Sequence, residues 1–221
     1  TQTDYFEKSI SFSPVSPVLR RLAIVLYQAN FALFPDAGAH MIRRDPTLTS
    51  RHLAKIDRDL DVLIPDRNFS GVAMIDHEQW SIVWRFLEDT PSSQGPTALD
   101  KDYRSDWREE LLRENPHVFD GMTAAQRDAY CQQTYDSTVR DFMLATIREC
   151  KAKRPNAKWC YYGYPQSIYF WPERGARPPV IGYGDFHILQ AQFDDQIQWL
   201  YDAQDVVMIS PYFWYKTVPN G

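Results

Sequence analysis

Buried strands and amphipathic helices alternate in the hydrophobic pattern of this chain. The continuous apolar runs at 22–27 and 71–75 are typical of strands buried on both faces. Similar runs at 158–162 and 206–209 predict two further strands. In the segments between them, apolar residues recur every three or four positions. That spacing predicts helices at 49–63, 79–87, 100–114, from 123 to shortly before Pro155, and 187–203.

This alternation predicts an α/β fold with a parallel sheet and helical crossovers. We expect one domain over residues 1–221, in which residues 1–20 form an irregular arm. The glycine-rich loop that usually follows the first strand of a doubly wound sheet is absent from the sequence. Polar or aromatic residues end the strands instead, which is typical of a TIM-barrel-like fold. These residues are Tyr27, Asp76 with Glu78, Tyr162, and Ser210 with Tyr212.

Composition narrows the classes of partner. The formal net charge of −5 disfavours nucleic acid as the main partner. No apolar run approaches the ~20 residues of a membrane span, so none is expected. Cys131, Cys150 and Cys160 lack metal-like spacing and are predicted to be buried free thiols. We expect no metal and no cofactor.

The acidic pair Asp76 and Glu78 directly follows the second predicted strand. If the chain stays extended there, both carboxylates lie on one side and His77 on the other. One carboxyl of such a close pair keeps a proton as general acid, and the other stays charged, as glycosidic cleavage requires. Two alternatives stay open. Asp76 can cap a helix whose first turn carries Glu78, or His77 can join a metal site, which the alternation disfavours.

The sequence around the pair closely resembles that of one protein family. Residues 64–80, IPDRNFSGVAMIDHEQW, are similar to the pattern I-P-D-x-x-F-x-G-x-x-V-I-D-x-E-x-W of the family 56 glycoside hydrolases, the hyaluronidases. Residues 154–165 resemble the family's R-P-x-A-x-W-G-Y-Y-x-[FY]-P segment. Residues 199–212 resemble its W-L-[FY]-x-x-x-D and P-S-x-Y segments, and 23–27 its second strand. The resemblance runs from about residue 22 to 212.

This resemblance implies roles for the pair. Glu78 matches the family's proton donor, and Asp76 matches the acid that holds the substrate's N-acetyl group. The nucleophile in this family is the substrate's own acetamido oxygen, which forms an oxazolinium-type intermediate that water opens with net retention. The implied activity is a hyaluronidase-like endo-β-N-acetylhexosaminidase acting on hyaluronan or chondroitin.

The resemblance also implies a substrate cleft. Tyr162 and Tyr212 match tyrosines that contact the N-acetyl group and the reacting sugar, and Tyr27 matches another tyrosine of the cleft. Ser210 and Trp80 lie in the same matching motifs and are expected to contact the glycosaminoglycan. From the residues alone, tyrosines buried in the core with satisfied hydroxyls are the alternative.

The match to the family is incomplete. It covers roughly the second to the fifth strand unit of the family barrel, so we expect a partial barrel. Cys160 and Ser167 replace the family's glycine and cysteine, so its disulfide framework is expected to be lost. An open half barrel leaves two sheet edges, which folded proteins avoid. We expect self-association, the chain's own arms or a further chain segment to cover them. A catalytically inactive glycan-binding or venom or surface protein of the same fold is the alternative function.

Two expectations concern the cellular context. The resemblance implies a secreted, extracellular or lysosomal protein. Asn68 begins an Asn-Phe-Ser triplet and is therefore a candidate N-glycosylation site, although such triplets are common by chance.

Overall fold

The structure is a computed structural model that describes residues 22–84, 87, 103–164, 191–192 and 194–208. The predicted arm, residues 1–20, lies outside these residues. In chain order the elements are β1 (Ala23–Tyr27), α1 (His40–Arg44), α2 (Leu48–Leu63), β2 (Val72–Asp76), α3 (Tyr103–Glu114), α4 (Ala124–Lys153), β3 (Lys158–Tyr161) and α5 (Gln198–Ala203).

The three strands form one parallel sheet in the order β1-β2-β3. Ala23 of β1 pairs with Val72 of β2, and Ala73 of β2 pairs with Trp159 of β3. Helices connect the strands, as parallel pairing requires. The predicted α/β class with a parallel sheet is therefore confirmed for the described residues.

The core lies where α2 and α4 pack on the sheet. The long helix α4 begins at a capping box, in which the Thr123 hydroxyl accepts from the Gln126 backbone amide at 3.3 Å and the Gln126 side chain accepts from the Thr123 backbone amide at 2.8 Å. Its apolar face is buried, with Tyr135, Val139, Phe142, Met143, Ile147 and Cys150 in the core. The sequence did not predict that His52 of α2 is buried, with Nε2 2.9 Å from the Thr146 hydroxyl of α4.

The predicted helix at 79–87 is wrong over the residues that are described there, 79–84 and 87, which carry no α-helix. Polar side chains compete for the backbone of this segment. The Ser81 hydroxyl accepts from the Val83 amide at 3.2 Å, and Asp136 of α4 accepts from the Trp84 amide at 2.9 Å. These bonds replace the i→i−4 pattern of a helix.

Residues 204–208 lie along the outer edge of β3. Asp205 accepts from the Trp159 amide at 2.9 Å and donates its own amide to the Trp159 carbonyl at 2.8 Å. The Gln204 side chain accepts from the Tyr161 amide at 2.5 Å. In place of the predicted fourth strand, Met208 forms isolated bridges to Tyr162 and Tyr164, and residue 209 lies outside the described range.

The three cysteines are free and buried, as predicted. Within the described part of the chain, no helix combines the length and the apolar composition that crossing a membrane requires.

Candidate functional site

The carboxyl ends of the three strands meet at one edge of the sheet. Tyr27, the last residue of β1, is the register partner of Asp76, the last residue of β2. Tyr162 follows β3 directly, and its amide donates to the Ile75 carbonyl at 2.9 Å. Tyr27, Asp76 and Tyr162 therefore lie at neighbouring strand ends, with Glu78 two residues beyond Asp76.

Burial alternates through the acidic segment. Asp76 is half-buried, His77 is only 3% exposed, and Glu78 reaches solvent. The His77 ring packs between Phe34, at 5.1 Å between centroids, and Trp80, at 4.3 Å. The imidazole therefore lies on the core side, as the period-two pattern predicted. Among the residues with described positions, no three His, Cys, Asp or Glu side chains are grouped to hold a metal ion.

The environment of the pair favours protonated carboxyls. Burial, and after it the negative charge of Glu78, together raise the pKa of Asp76 to about 7. Burial also raises the pKa of Glu78. Near neutral pH the pair therefore retains a proton that two ordinary solvated carboxylates would have lost.

The loop after β1 contacts the acidic segment from one side. The Gln28 amide donates to the Asp76 carbonyl at 3.0 Å, and its side-chain oxygen accepts from the Glu78 amide at 3.2 Å. The indole nitrogen of Trp80 donates to the Pro35 carbonyl at 2.9 Å. Gln28 was not predictable from the sequence, because a single glutamine after a strand carries no recognisable signal.

Two tyrosines from the helices hold the segment that follows the pair. The Tyr103 hydroxyl of α3 donates to the Gln79 carbonyl at 3.1 Å. The Tyr135 hydroxyl of α4 donates to the Ser81 carbonyl at 2.5 Å. The buried Trp80, 4% exposed, lies between these two anchored positions and supports His77. The segment after the pair is therefore hydrogen-bonded to α3, to α4 and, through Trp80 and Pro35, to the loop after β1.

The tyrosines predicted for the cleft have different positions. Tyr27 and Tyr162 are half-buried at the strand ends. Tyr164, which sequence reasoning missed, is buried, and burial together with the negative charge of Glu78 raises its pKa. Its spacing of two residues from Tyr162 is the signal that was available. Ser210 and Tyr212 lie outside the described residues.

The candidate glycosylation residue Asn68 is exposed in the turn between α2 and β2. The backbone amide of Asn68 donates to the Asp66 carboxylate at 2.9 Å. Modification of Asn68 stays a prediction.

The chain is similar to proteins of one family. A family model described as hyaluronidase, glycoside hydrolase family 56, matches residues 20–216. A hyaluronidase of Polybia paulista is 28% identical over 170 residues, which are 76% of this chain and 52% of that protein. A chondroitin hydrolase of Caenorhabditis elegans is 26% identical over 163 residues, 74% of this chain and 31% of that protein. The chain thus spans about half the length of the first of these relatives, and less of the second.

Solved structures show the same fold. Crystal structures of bee venom hyaluronidase, one of them in complex with a hyaluronic acid tetramer, superpose on this chain with TM-scores of 0.63 and 0.61. The superpositions cover 89% of this chain and 56% of the bee protein, at 24% and 23% sequence identity. The predicted family resemblance and its partial extent are confirmed.

Proposed function

The chain belongs to the hyaluronidase family, glycoside hydrolase family 56, and from that premise we propose that it is an endo-β-N-acetylhexosaminidase that cleaves hyaluronan or chondroitin. The reaction is a substrate-assisted hydrolysis with net retention. The observation that carries the proposal is the acidic pair, with raised pKa values, beside Tyr27 and Tyr162 at the carboxyl edge of the sheet.

The two carboxyl groups divide the work through their shared proton. An acetamido N–H of the substrate that donates to Asp76 favours the charged form of that carboxyl. The charge on Asp76 then raises the proton affinity of Glu78, which stays protonated and donates to the glycosidic oxygen. The acetamido oxygen attacks the anomeric carbon as this bond breaks. Glu78, now ionised, accepts a proton from the water that opens the cyclic intermediate.

The cleft residues serve the same reaction. Tyr27 and Tyr162 orient the acetamido group and the reacting sugar from the strand ends. Tyr212 and Ser210, which lie outside the described residues, are the further substrate-binding residues of this proposal. Trp80, 4% exposed, contributes by packing against His77, which lies between the two acids in the sequence. The names of the relatives support the substrate class, since hyaluronan and chondroitin are both glycosaminoglycans with N-acetylhexosamine units.

The architecture that fits this function is a TIM-barrel-like domain of residues 1–221. In it, β1, β2 and β3 correspond to successive strand units of the family barrel, beginning with the second. The bee venom structures with the same fold support this arrangement. The protein acts outside the cell or in a lysosome. A second copy of the chain or the chain's own arms cover the edges of the sheet.

The decisive experiment compares wild type with Glu78→Gln by counting reducing ends released from hyaluronan and from chondroitin between pH 3.5 and 7.5. Loss of the proton donor lowers kcat by about 10²–10⁴-fold. Glu109→Gln, a change of an exposed glutamate on α3, is the control and keeps wild-type activity. Turnover that survives Glu78→Gln, or a wild type that releases no ends at any pH, contradicts the proposal.

A second candidate function is glycan binding without turnover. It is favoured by one observation: the match covers 52% of the Polybia paulista relative, so the likeness does not extend to the rest of that protein. Equilibrium binding of hyaluronan oligomers distinguishes the two. Binding by a wild type that releases no reducing ends supports the second candidate, and hydrolysis that Glu78→Gln removes excludes it.

A further inference from the structure

Gln28 contacts both ends of the acidic segment. Its backbone amide donates to the Asp76 carbonyl at 3.0 Å, which extends the β1–β2 pairing by one residue. Its side-chain oxygen accepts from the Glu78 amide at 3.2 Å. The first bond needs only the backbone, whereas the second depends on this side chain.

The residues directly after β2 are not held by the backbone hydrogen bonds of a strand or a helix. β2 ends at Asp76, and Glu78 belongs to neither a strand nor a helix. Its amide therefore finds its acceptor in a side chain from another element rather than in a neighbouring strand. A freely moving Glu78 backbone would carry its carboxyl away from Asp76, and a displacement of about 1 Å costs on the order of 10²-fold in rate.

The loop that carries Gln28 is itself held in place. Asn30 and Phe31 donate their amides back to the Tyr27 carbonyl, at 2.8 and 2.9 Å, which makes a tight turn directly after β1. Further along, the Ala32 amide donates to the Asp59 carboxylate of α2 at 2.7 Å. Ala32 has a φ of 59°, a left-handed conformation that alanine rarely adopts and that this contact helps to maintain.

A second contact fastens the same loop to the helical core. The Leu33 amide donates to His52 Nδ1 at 3.1 Å, so the proton of the neutral imidazole lies on Nε2, which faces the Thr146 hydroxyl at 2.9 Å. Burial lowers the pKa of His52 to about 4, which preserves this neutral form. Gln28 therefore projects from a turn that is anchored to α2 and, through His52, to α4.

We propose that Gln28 is a positioning residue that holds the Glu78 main chain and thereby sets the distance between the two carboxyl groups of the pair. The catalytic consequence rests on the proposed glycosidase function. The hydrogen bond to Glu78 does not rest on it, so the two are tested separately.

The test uses the whole chain with three variants. Gln28→Met keeps the length of the side chain and removes the acceptor. Gln28→Glu keeps an acceptor and adds a negative charge beside the pair. Gln133→Met, at an exposed position on α4, is the matched control. For each protein, hydrogen exchange of the Glu78 amide is measured by NMR, and kcat and KM on hyaluronan are measured against pH.

In Gln28→Met we expect the Glu78 amide to exchange at least about 10-fold faster, which corresponds to the loss of one hydrogen bond of about 1.4 kcal/mol. We expect kcat to fall about 10- to 100-fold with KM within about 2-fold, since only the placement of the acid changes. Gln28→Glu recovers the slow exchange of the Glu78 amide. In this variant the basic limb of the profile of kcat against pH moves up by about 0.5–1 pH unit, because a third carboxylate disfavours ionisation of the acidic pair. Gln133→Met matches wild type throughout.

The outcomes separate the two hypotheses. Unchanged exchange of the Glu78 amide in Gln28→Met overturns the positioning role. Faster exchange in a protein whose wild type never releases reducing ends keeps the contact and overturns the proposed glycosidase function. Faster exchange with unchanged kcat in an active protein shows that the bond does not serve catalysis, which also overturns the proposal. An unshifted basic limb in Gln28→Glu argues against placement next to the pair.

Discussion

Asp205 and Trp159 exchange two hydrogen bonds at the outer edge of β3. The Asp205 carboxylate accepts from the Trp159 amide at 2.9 Å, and the Asp205 amide donates to the Trp159 carbonyl at 2.8 Å. The carboxylate is also bonded to Lys151 Nζ at 2.9 Å. A side chain thus occupies a position that the next strand of a larger sheet would take. The chain covers part of this edge by itself, which protects it from pairing with other chains.

Asp205→Ala is expected to expose this edge. The Trp159 amide loses its acceptor, so the free energy of unfolding falls by about 1–2 kcal/mol, and the freed edge promotes self-association. Urea unfolding and light scattering as a function of concentration measure the two effects. Asp202→Ala, a change of an exposed aspartate on α5, is the control. A monomeric Asp205→Ala of wild-type stability would show that the edge does not depend on this residue.

Asp76 is expected to make the protein less stable as the solution becomes neutral. Its pKa is about 7 in the folded chain, against an ordinary value of 3.8 for an aspartate, so the folded state binds more protons than the unfolded state between these pH values. The contribution is therefore full below about pH 4 and is lost as pH rises through 7. Asp76→Asn removes this loss and raises the free energy of unfolding at pH 7.5 by about 1–3 kcal/mol, after allowance for solvent screening.

Denaturant unfolding of both proteins at pH 4.5, 6 and 7.5 checks the prediction for Asp76. The difference between Asp76→Asn and wild type should grow with pH over this range. Asp141→Asn, on the exposed side of α4, should show no such trend. A difference that shrinks as pH rises would mean that the folded chain depresses the pKa of Asp76.

His77→Phe is expected to stabilise the protein, most clearly in acid. Both ring nitrogens of His77 are buried without a hydrogen-bond partner among the described residues. Burial lowers the pKa of His77 to about 3 from 6.5, so its share of stability is present above pH 6.5 and is lost as pH falls toward 3. Phenylalanine fits the same site between Phe34 and Trp80 and removes the unpaired nitrogens, a gain of about 1 kcal/mol at pH 7.

Thermal and urea unfolding of His77→Phe at pH 4.5 and pH 7 provides the measurement. The advantage over wild type should be larger at pH 4.5. His117→Phe, a change of an exposed histidine, is the control. An equal or smaller advantage in acid would show that protonation of His77 does not oppose folding.

Arg154 is expected to be essential for the stability of the fold. It is 1% exposed and donates to the carbonyls of Ile64 at 2.7 Å and Leu60 at 2.8 Å, and to Asp61 at 3.0 Å. It therefore satisfies the carbonyls that end α2. Arg154→Met removes the donor to the Ile64 carbonyl and one of the two donors to the Leu60 carbonyl, which keeps the Ile64 amide. We expect the free energy of unfolding to fall by about 3 kcal/mol. Arg148→Met, at an exposed position on α4, should change it by less than about 0.5 kcal/mol.

Elements with long or strongly periodic patterns were predictable from the sequence. β1 and β2, α2 and the long α4 with its cap at Thr123 all begin and end within about one residue of the prediction. The segment 79–84 was not predictable, because Asp136 and Tyr135 bind its backbone from a helix about 50 residues away. The sequence of residues 79–84 carries no sign of these distant hydrogen bonds.

The acidic pair was predictable in position and in orientation, because its alternation is a property of extended chain. His77 turned to the core for the same reason. The support of the pair was not predictable: Gln28, Tyr103 and Tyr135 reach Glu78, Gln79 and Ser81 from three elements that only the fold brings together.

The sequence by itself determined the family, the strand–helix order and the two acids at a strand end, because these depend on local pattern and on residue identity at fixed spacing. The tertiary structure alone decided how strongly the carboxyls hold a proton and what fastens them. Burial and neighbouring charge set the first, and contacts across tens of residues set the second. The same holds for the edge of β3, where Asp205 takes the place of a strand through a contact 46 residues away in the chain.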